Sequence, residues 1–156
     1  MGTRSLTTFI ETWKDEKGKK VKQVLATMYR QMDGYPEGMG KDLADYLKRG
    51  TLVNGIGLGN KETIQFNGMG CLSASVVGEF KTGSGGIYLV KPGSKGHGEN
   101  YRYEIEGDFD DKEIILRCFE VGYMSKNKCV DKTRKIFEGS PQSFDKFLEK
   151  LKKETA

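Results

Sequence analysis

The sequence predicts an α+β domain: a mainly antiparallel sheet of about six strands, in the order ββααββββα, with helices packed on one face. Three observations predict it. Strand-like runs come in groups joined by short, hairpin-like polar connections. Two central stretches repeat apolar residues at helical spacing, and a third such stretch closes the chain.

Taken in order, residues 3–13, TRSLTTFIETW, are rich in Thr, aromatic and β-branched residues and favour a strand. Residues 21–31, VKQVLATMYRQ, read the same way, and KDEKGKK between them is a turn whose Gly18 suits a left-handed conformation. Met39, Leu43, Tyr46 and Leu47 then fall on one face of a helix beginning near Lys41, with Gly50 as its stop. Met69, Leu72, Val76, Val77 and Phe80 mark a second helix over 69–80, closed by GSGG at 83–86. Strands follow at 87–91, 101–107, 112–121 and 134–138, with GDFDDK as a tight link. Ser140-Pro141 reads as an N-cap and first helical residue. Phe144, Phe147, Leu148 and Leu151 form the apolar stripe of the closing helix.

Length and composition bound the function. At 156 residues, with 31% charged and 36% hydrophobic residues, the chain reads as one globular domain over 1–156. No apolar run reaches the roughly 18 residues of a membrane span, and MGTRSLTTF lacks the apolar core of a secretory signal, so a cytoplasmic protein is expected. Cys71, Cys118 and Cys129 show neither C-x-x-C nor zinc spacing, and His97 is the only histidine. Reduced thiols, no metal and no cofactor are the expectation. The net charge of +4 favours anionic partners, but the lysines are interspersed with acids, as in EKLKKE, so specific nucleic-acid binding is not expected.

The densest stretch is MYRQMDGYPEGMGKDLADYL, residues 28–47. Glycines, an arginine, a tyrosine and a helix start are the parts of an anion site. It is not a Walker A loop, because Lys41 is followed by Asp42 rather than a hydroxyl residue. Asp33 and Glu37 near the helix start also fit a plain self-capped turn. The GxGxG of VNGIGLGNK follows a predicted helix, not a strand, and lacks dinucleotide-binding spacing; a close-approach loop is the better reading. His97 sits in the glycine loop KPGSKGHGENY and is either exposed or an acid–base group under a lid. Tyr29, Tyr35, Tyr88, Tyr101 and Tyr103, near Arg4, Arg30 and Arg102, suit either base stacking or a small core.

The first hairpin permits a sharper expectation. If residues 16–18 form a three-residue loop, Asp15 faces Lys19, Phe9 faces Leu25, Leu6 faces Met28 and Arg4 faces Arg30. Two facing arginines repel unless Asp33 lies between them or they form an open fork for a phosphate, with Gly40-Lys41 closing the other side. The fork is preferred, and a one-residue slip in register would abolish it.

MGTRSL, followed after a hairpin-sized gap by MYRQMDGYPEGMGKDL, resembles a family of small uncharacterised proteins of phages, large viruses and bacteria. The resemblance covers roughly the first 50 residues. The family brings no established activity; it implies a viral or mobile-element setting, where small proteins that sequester nucleotide immune signals are a known class. By that analogy the chain is expected to be a non-catalytic protein holding a small anionic, nucleotide-like ligand in the host cytoplasm, with room for homo-oligomers. Its expected contacts are Arg4, Arg30, Tyr35, Lys41, His97 and Tyr101. The alternatives are a metal-independent enzyme degrading such a nucleotide, with His97 as acid–base, and a viral protein that binds a host protein.

Overall fold

A computed structural model describes residues 2–55, 63–122, 124–126, 128–129 and 132–154. Strands β1 (Ser5–Lys14) and β2 (Lys20–Arg30) form the N-terminal hairpin. A π-helical turn (Pro36–Gly40) runs into helix α1 (Lys41–Leu47), followed by β3 (Gly50–Val53), β4 (Ile64–Asn67) and α2 (Gly68–Phe80). Then come β5 (Ile87–Val90), β6 (Tyr101–Asp108), β7 (Ile114–Glu120), the two-residue strands β8 (Met124–Ser125) and β9 (Lys128–Cys129), and β10 (Arg134–Gly139). A 3-10 turn (Pro141–Ser143) leads into α3 (Phe144–Glu154).

The main sheet has six strands in the order β10-β7-β6-β1-β2-β5. All its pairings are antiparallel except β1 with β6, which lie parallel at its centre. The fold class is therefore α+β, as the grouped strands predict. Gly50 does not stop a helix: α1 ends at Leu47, and Gly50 opens β3, which pairs in parallel with β4. The glycine run 55–59 thus follows a strand, and most of it lies outside the described residues.

Cross-strand partners share a face, so the register sorts the residues. Thr7 pairs with Met28 and Tyr103, and Tyr103 with Cys118; Phe9 pairs with Ala26 and Ile105, and Ile105 with Leu116. These two rows form the buried face. Helix α2 lies against β1, β2 and β6 there, and Phe144 of α3 joins the same core. The opposite face carries charge. Glu106 is buried in an ion network with Arg117 at 3.2 Å and Lys22 at 3.2 Å, and Arg117 also pairs with Glu138. A long glycine loop, residues 91–100, returns over this face, where Gly93 N donates to Thr27 Oγ1 at 2.8 Å.

The first hairpin loop forms as expected. Asp15 N donates to Lys19 O at 2.9 Å, and Gly18 adopts φ +76°. The strand register beyond it does not. A bulge shifts the pairing between Phe9 and Ile10, so Phe9 faces Ala26, Leu6 faces Tyr29 and Ser5 faces Arg30. One extra residue in β2 turns every later side chain to the other face relative to β1. Arg4 and Arg30 are consequently not cross-strand partners, and the expected arginine fork does not form.

At the C-terminus, Ser140 has the extended backbone of an N-cap and Pro141 follows it, but the Ser140 side chain makes no capping bond. The first turn is held instead by Ser143, whose hydroxyl donates to Ser140 O at 2.7 Å. Phe144, not Phe147, is the fully buried ring of α3.

Candidate functional site

The DGYPEGMG turn is built for packing against the protein itself. Gly34 N donates to Thr3 O and Met39 N to Asp33 O, and Gly38 N donates to Tyr35 O. Lys41 N is taken by Gly38 O and Pro36 O, so the π-helical turn continues into α1 without an open helix start. A Cβ on Gly34 would lie 2.7 Å from the Arg4 carbonyl carbon, and one on Gly40 would lie 2.6 Å from the Phe144 ring. The glycines bring backbone close to backbone and to rings, and the amides of Gly34, Gly38, Met39 and Lys41 are already bonded within the protein.

The glycine loop behaves similarly. Gly96 N and His97 N both donate to the Glu99 carboxylate, at 3.2 and 2.7 Å, and Arg102 Nε donates to it at 2.7 Å. The loop is an anion nest filled by the chain's own carboxylate. Burial works against the charge of Glu99, yet these donors outweigh it and hold its pKa below the ordinary value.

The six expected contact residues separate into four places. Arg4, His97 and Tyr101 gather around the glycine loop. Arg4 N donates to Asn100 Oδ1 at 3.3 Å, Tyr101 N donates to Arg4 O, and the Arg4 guanidinium lies against Gly98. The His97 ring contacts Ser94 Oγ at 3.0 Å through Nε2 and lies 6.4 Å from the Tyr29 ring. Tyr101 is half-buried, and burial followed by the charge of Glu120 raises its pKa. Tyr35 stands apart: its hydroxyl donates to Asp33 Oδ1 at 3.1 Å, and that bond raises its phenol pKa. Lys41 pairs with Asp45 at 3.1 Å and Asp145 at 3.7 Å, on the side of α1 that meets α3. Arg30 lies elsewhere again, bonded to Asp42 at 2.9 Å.

Arg30 alone among the six lines a groove of about 500 Å³, open to solvent, between the β2–β5 edge and the ends of α1 and α2. Arg49 and Glu79 stand at its rim, 3.8 Å apart and both more than half exposed or close to it. Tyr46 and Phe80 supply an aromatic wall, their rings 6.1 Å apart and nearly edge-on, and Arg49 lies 5.6 Å over the Tyr46 ring. Sequence reasoning missed Arg49, Tyr46 and Phe80 as site residues. Both aromatics fit helical apolar stripes, so the pattern assigned them to the core and gave no sign that their edges meet a groove.

Charges in the groove are matched rather than one-sided. Asp42 answers Arg30, Glu79 answers Arg49, and Asp45 is shared by Lys41 and Lys48 at 3.1 Å each. The Arg49–Glu79 pair is the long, solvent-exposed one, and such pairs exchange partners at little cost. Among the described residues no cluster of three or more His, Cys, Asp or Glu is arranged to hold a metal, and no helix is long and apolar enough to cross a membrane. The Cys118 thiol is pushed up to about 12 by burial, which keeps it protonated and weakly nucleophilic. In comparisons with known proteins, no family model matches the chain and neither a curated protein nor a solved structure matches it.

Proposed function

We propose that this protein is a non-catalytic binding protein holding a small anionic, nucleotide-like ligand in the groove beside β5. One observation carries the reading: Arg30 and Arg49, from separate elements, border the same groove as the Tyr46–Phe80 wall. Aromatic edges and a guanidinium over a ring suit a flat base, and a guanidinium fork suits a phosphate. Arg49 is the exchangeable cation, because a phosphate needs only to displace Glu79 from a 3.8 Å contact. Arg30 is held more firmly by Asp42 and serves to orient. In the viral setting that the first 50 residues resemble, the protein would act in the host cytoplasm as a sponge for an immune signalling nucleotide, by affinity alone.

The test is retention. The purified protein is incubated with a panel of cyclic and linear nucleotides, washed, heated, and the released ligand weighed by mass spectrometry. Intact release from the wild type, lost in Arg49→Ala at an unchanged melting temperature, is the expected result. An altered nucleotide would favour the enzyme reading through His97, and retention of nothing would overturn the proposal.

A protein-partner reading also has a specific observation behind it. β5 is an outer strand, and Gln31 N donates to Gly86 O, which sets Leu89 N–H and C=O toward the open edge. Tyr88 is 48% and Leu89 63% exposed there, while at Ile87 the edge is blunted by Lys81, bonded to Ile87 O at 2.9 Å, and by Gly85 O, which accepts from Ile87 N at 2.8 Å. Failure of every nucleotide, together with capture of an extended peptide that Leu89→Pro abolishes, would favour it.

A further inference from the structure

At the opposite end of the sheet, the parallel pairing of β1 with β6 sets Thr12 against Asp108, and Phe109 N extends the ladder to Thr12 O at 2.8 Å. Trp13 and Phe109 follow directly on the Thr12–Asp108 pair, and Glu11 pairs with Gly107 one step inward of it. Trp13, Phe109 and Glu11 line an open cleft of about 350 Å³, with Lys14 and Asp110 at its mouth. Phe109 is 46% exposed and Trp13 is half-buried, an unusual exposure for the chain's only tryptophan beside a second ring.

The turn carrying Phe109 is held in place before any ligand arrives. Asp108 Oδ1 accepts from Asp110 N at 2.8 Å and Asp111 N at 3.0 Å, and Asp110 Oδ2 accepts from Lys14 N at 3.0 Å. Glu11, half-buried in the same cleft, makes no hydrogen bond or ion pair among the described residues. An unanswered carboxylate in a cleft lined by two aromatic rings attracts a cation through its own charge, and the ring quadrupoles add to this. The lining carries two carboxylates and one ammonium, so an anion is disfavoured and a cation suited. Hydrated metal ions gain little from rings, whereas an alkylated ammonium is weakly hydrated and gains from contact with them.

We propose that the Trp13–Phe109 cleft is a binding site for a small quaternary ammonium ion, with Glu11 as its counter-charge. It is separate from the groove beside β5, shares none of its lining residues, and stands or falls independently of the ligand there.

Because Trp13 is the only tryptophan, its fluorescence reports on this cleft alone. Choline is titrated into the wild type against sodium chloride of equal ionic strength, and 3,3-dimethylbutan-1-ol serves as the neutral isostere. The expected result is a saturable change in Trp13 emission with choline and none with the alcohol over the same range. Glu11→Gln and Phe109→Ala should each weaken choline about tenfold with the far-ultraviolet dichroism and melting temperature retained. An absent or non-saturable response to choline overturns the proposal. Equal binding of the alcohol, or undiminished binding by Glu11→Gln, shows a merely apolar cleft and overturns it too.

Discussion

The hydroxyl of Tyr103, fully buried at the centre of the sheet, donates to the carbonyl oxygen of Gly34 at 2.8 Å. This bond ties β6 to the turn that leads into α1, and it explains the glycine-rich motif as a docking device. Tyr103→Phe leaves the Gly34 carbonyl without its donor and should cost about 1–3 kcal/mol in urea unfolding. Gly40→Ala should cost a similar 1–3 kcal/mol, because its methyl meets the Phe144 ring at 2.6 Å and the Tyr103 ring at 3.2 Å. If Gly40 served a ligand instead of packing, Gly40→Ala would leave the melting temperature intact.

The closing helix makes a contrast within one short segment. Phe144 is completely buried against Phe137, their rings edge-on at 4.9 Å, so Phe144→Ala should cost about 3–5 kcal/mol. Ser140→Ala removes no capping bond and should fall within about 0.5 kcal/mol of wild type. Paired denaturation curves for the two variants check this. A cost near 1 kcal/mol for Ser140→Ala would show that its hydroxyl caps after all.

Acid should unfold the protein through two buried carboxylates. Burial raises the pKa of Glu106, but its bonds to Arg117 and Lys22 outweigh this, and the folded value is depressed. Glu99 is depressed for the reasons given above. A depressed carboxylate contributes stability above its unfolded pKa and loses it as pH falls through the folded one. The melting temperature should therefore hold from pH 7 to about 5 and decline below about 4. Glu106→Gln should be less stable at pH 7 and show a shallower acid decline; an equally steep decline would remove Glu106 from the account.

Thiol reactivity should divide the cysteines. Cys71 is exposed on α2, while Cys118 is buried beside Tyr103 with its pKa pushed up to about 12 by burial. In a Cys129→Ser variant, Ellman's reagent should titrate one thiol in the native protein and the second only on unfolding. Rapid native reaction at both would show that the core opens on the timescale of the assay.

Local signals carried far in this chain. The helical stripe through Leu43, Tyr46 and Leu47 and the one through Met69, Leu72 and Val76 are buried as their spacing requires. The loop at Gly18 also formed from its own residues, because a left-handed glycine between two strand-like runs is a complete instruction within a few residues. Element type follows from such short-range periodicity and turn chemistry, which is why the α+β class was legible.

Register and site were decided by tertiary structure. The bulge opposite Phe9 depends on how the buried face of β1 packs against β2 and β6 at once, and no local pattern marks Leu25 as the residue left over. That single shift separated Arg4 from Arg30. The parallel contact of β1 with β6 joins segments nearly a hundred residues apart, and it brings Trp13 and Phe109 to one cleft. The groove likewise draws Arg30, Arg49 and Phe80 from three separate stretches. Short-range sequence specifies which faces are apolar, but which charged edge meets which aromatic ring is set by long-range packing, and the sites are made of those meetings.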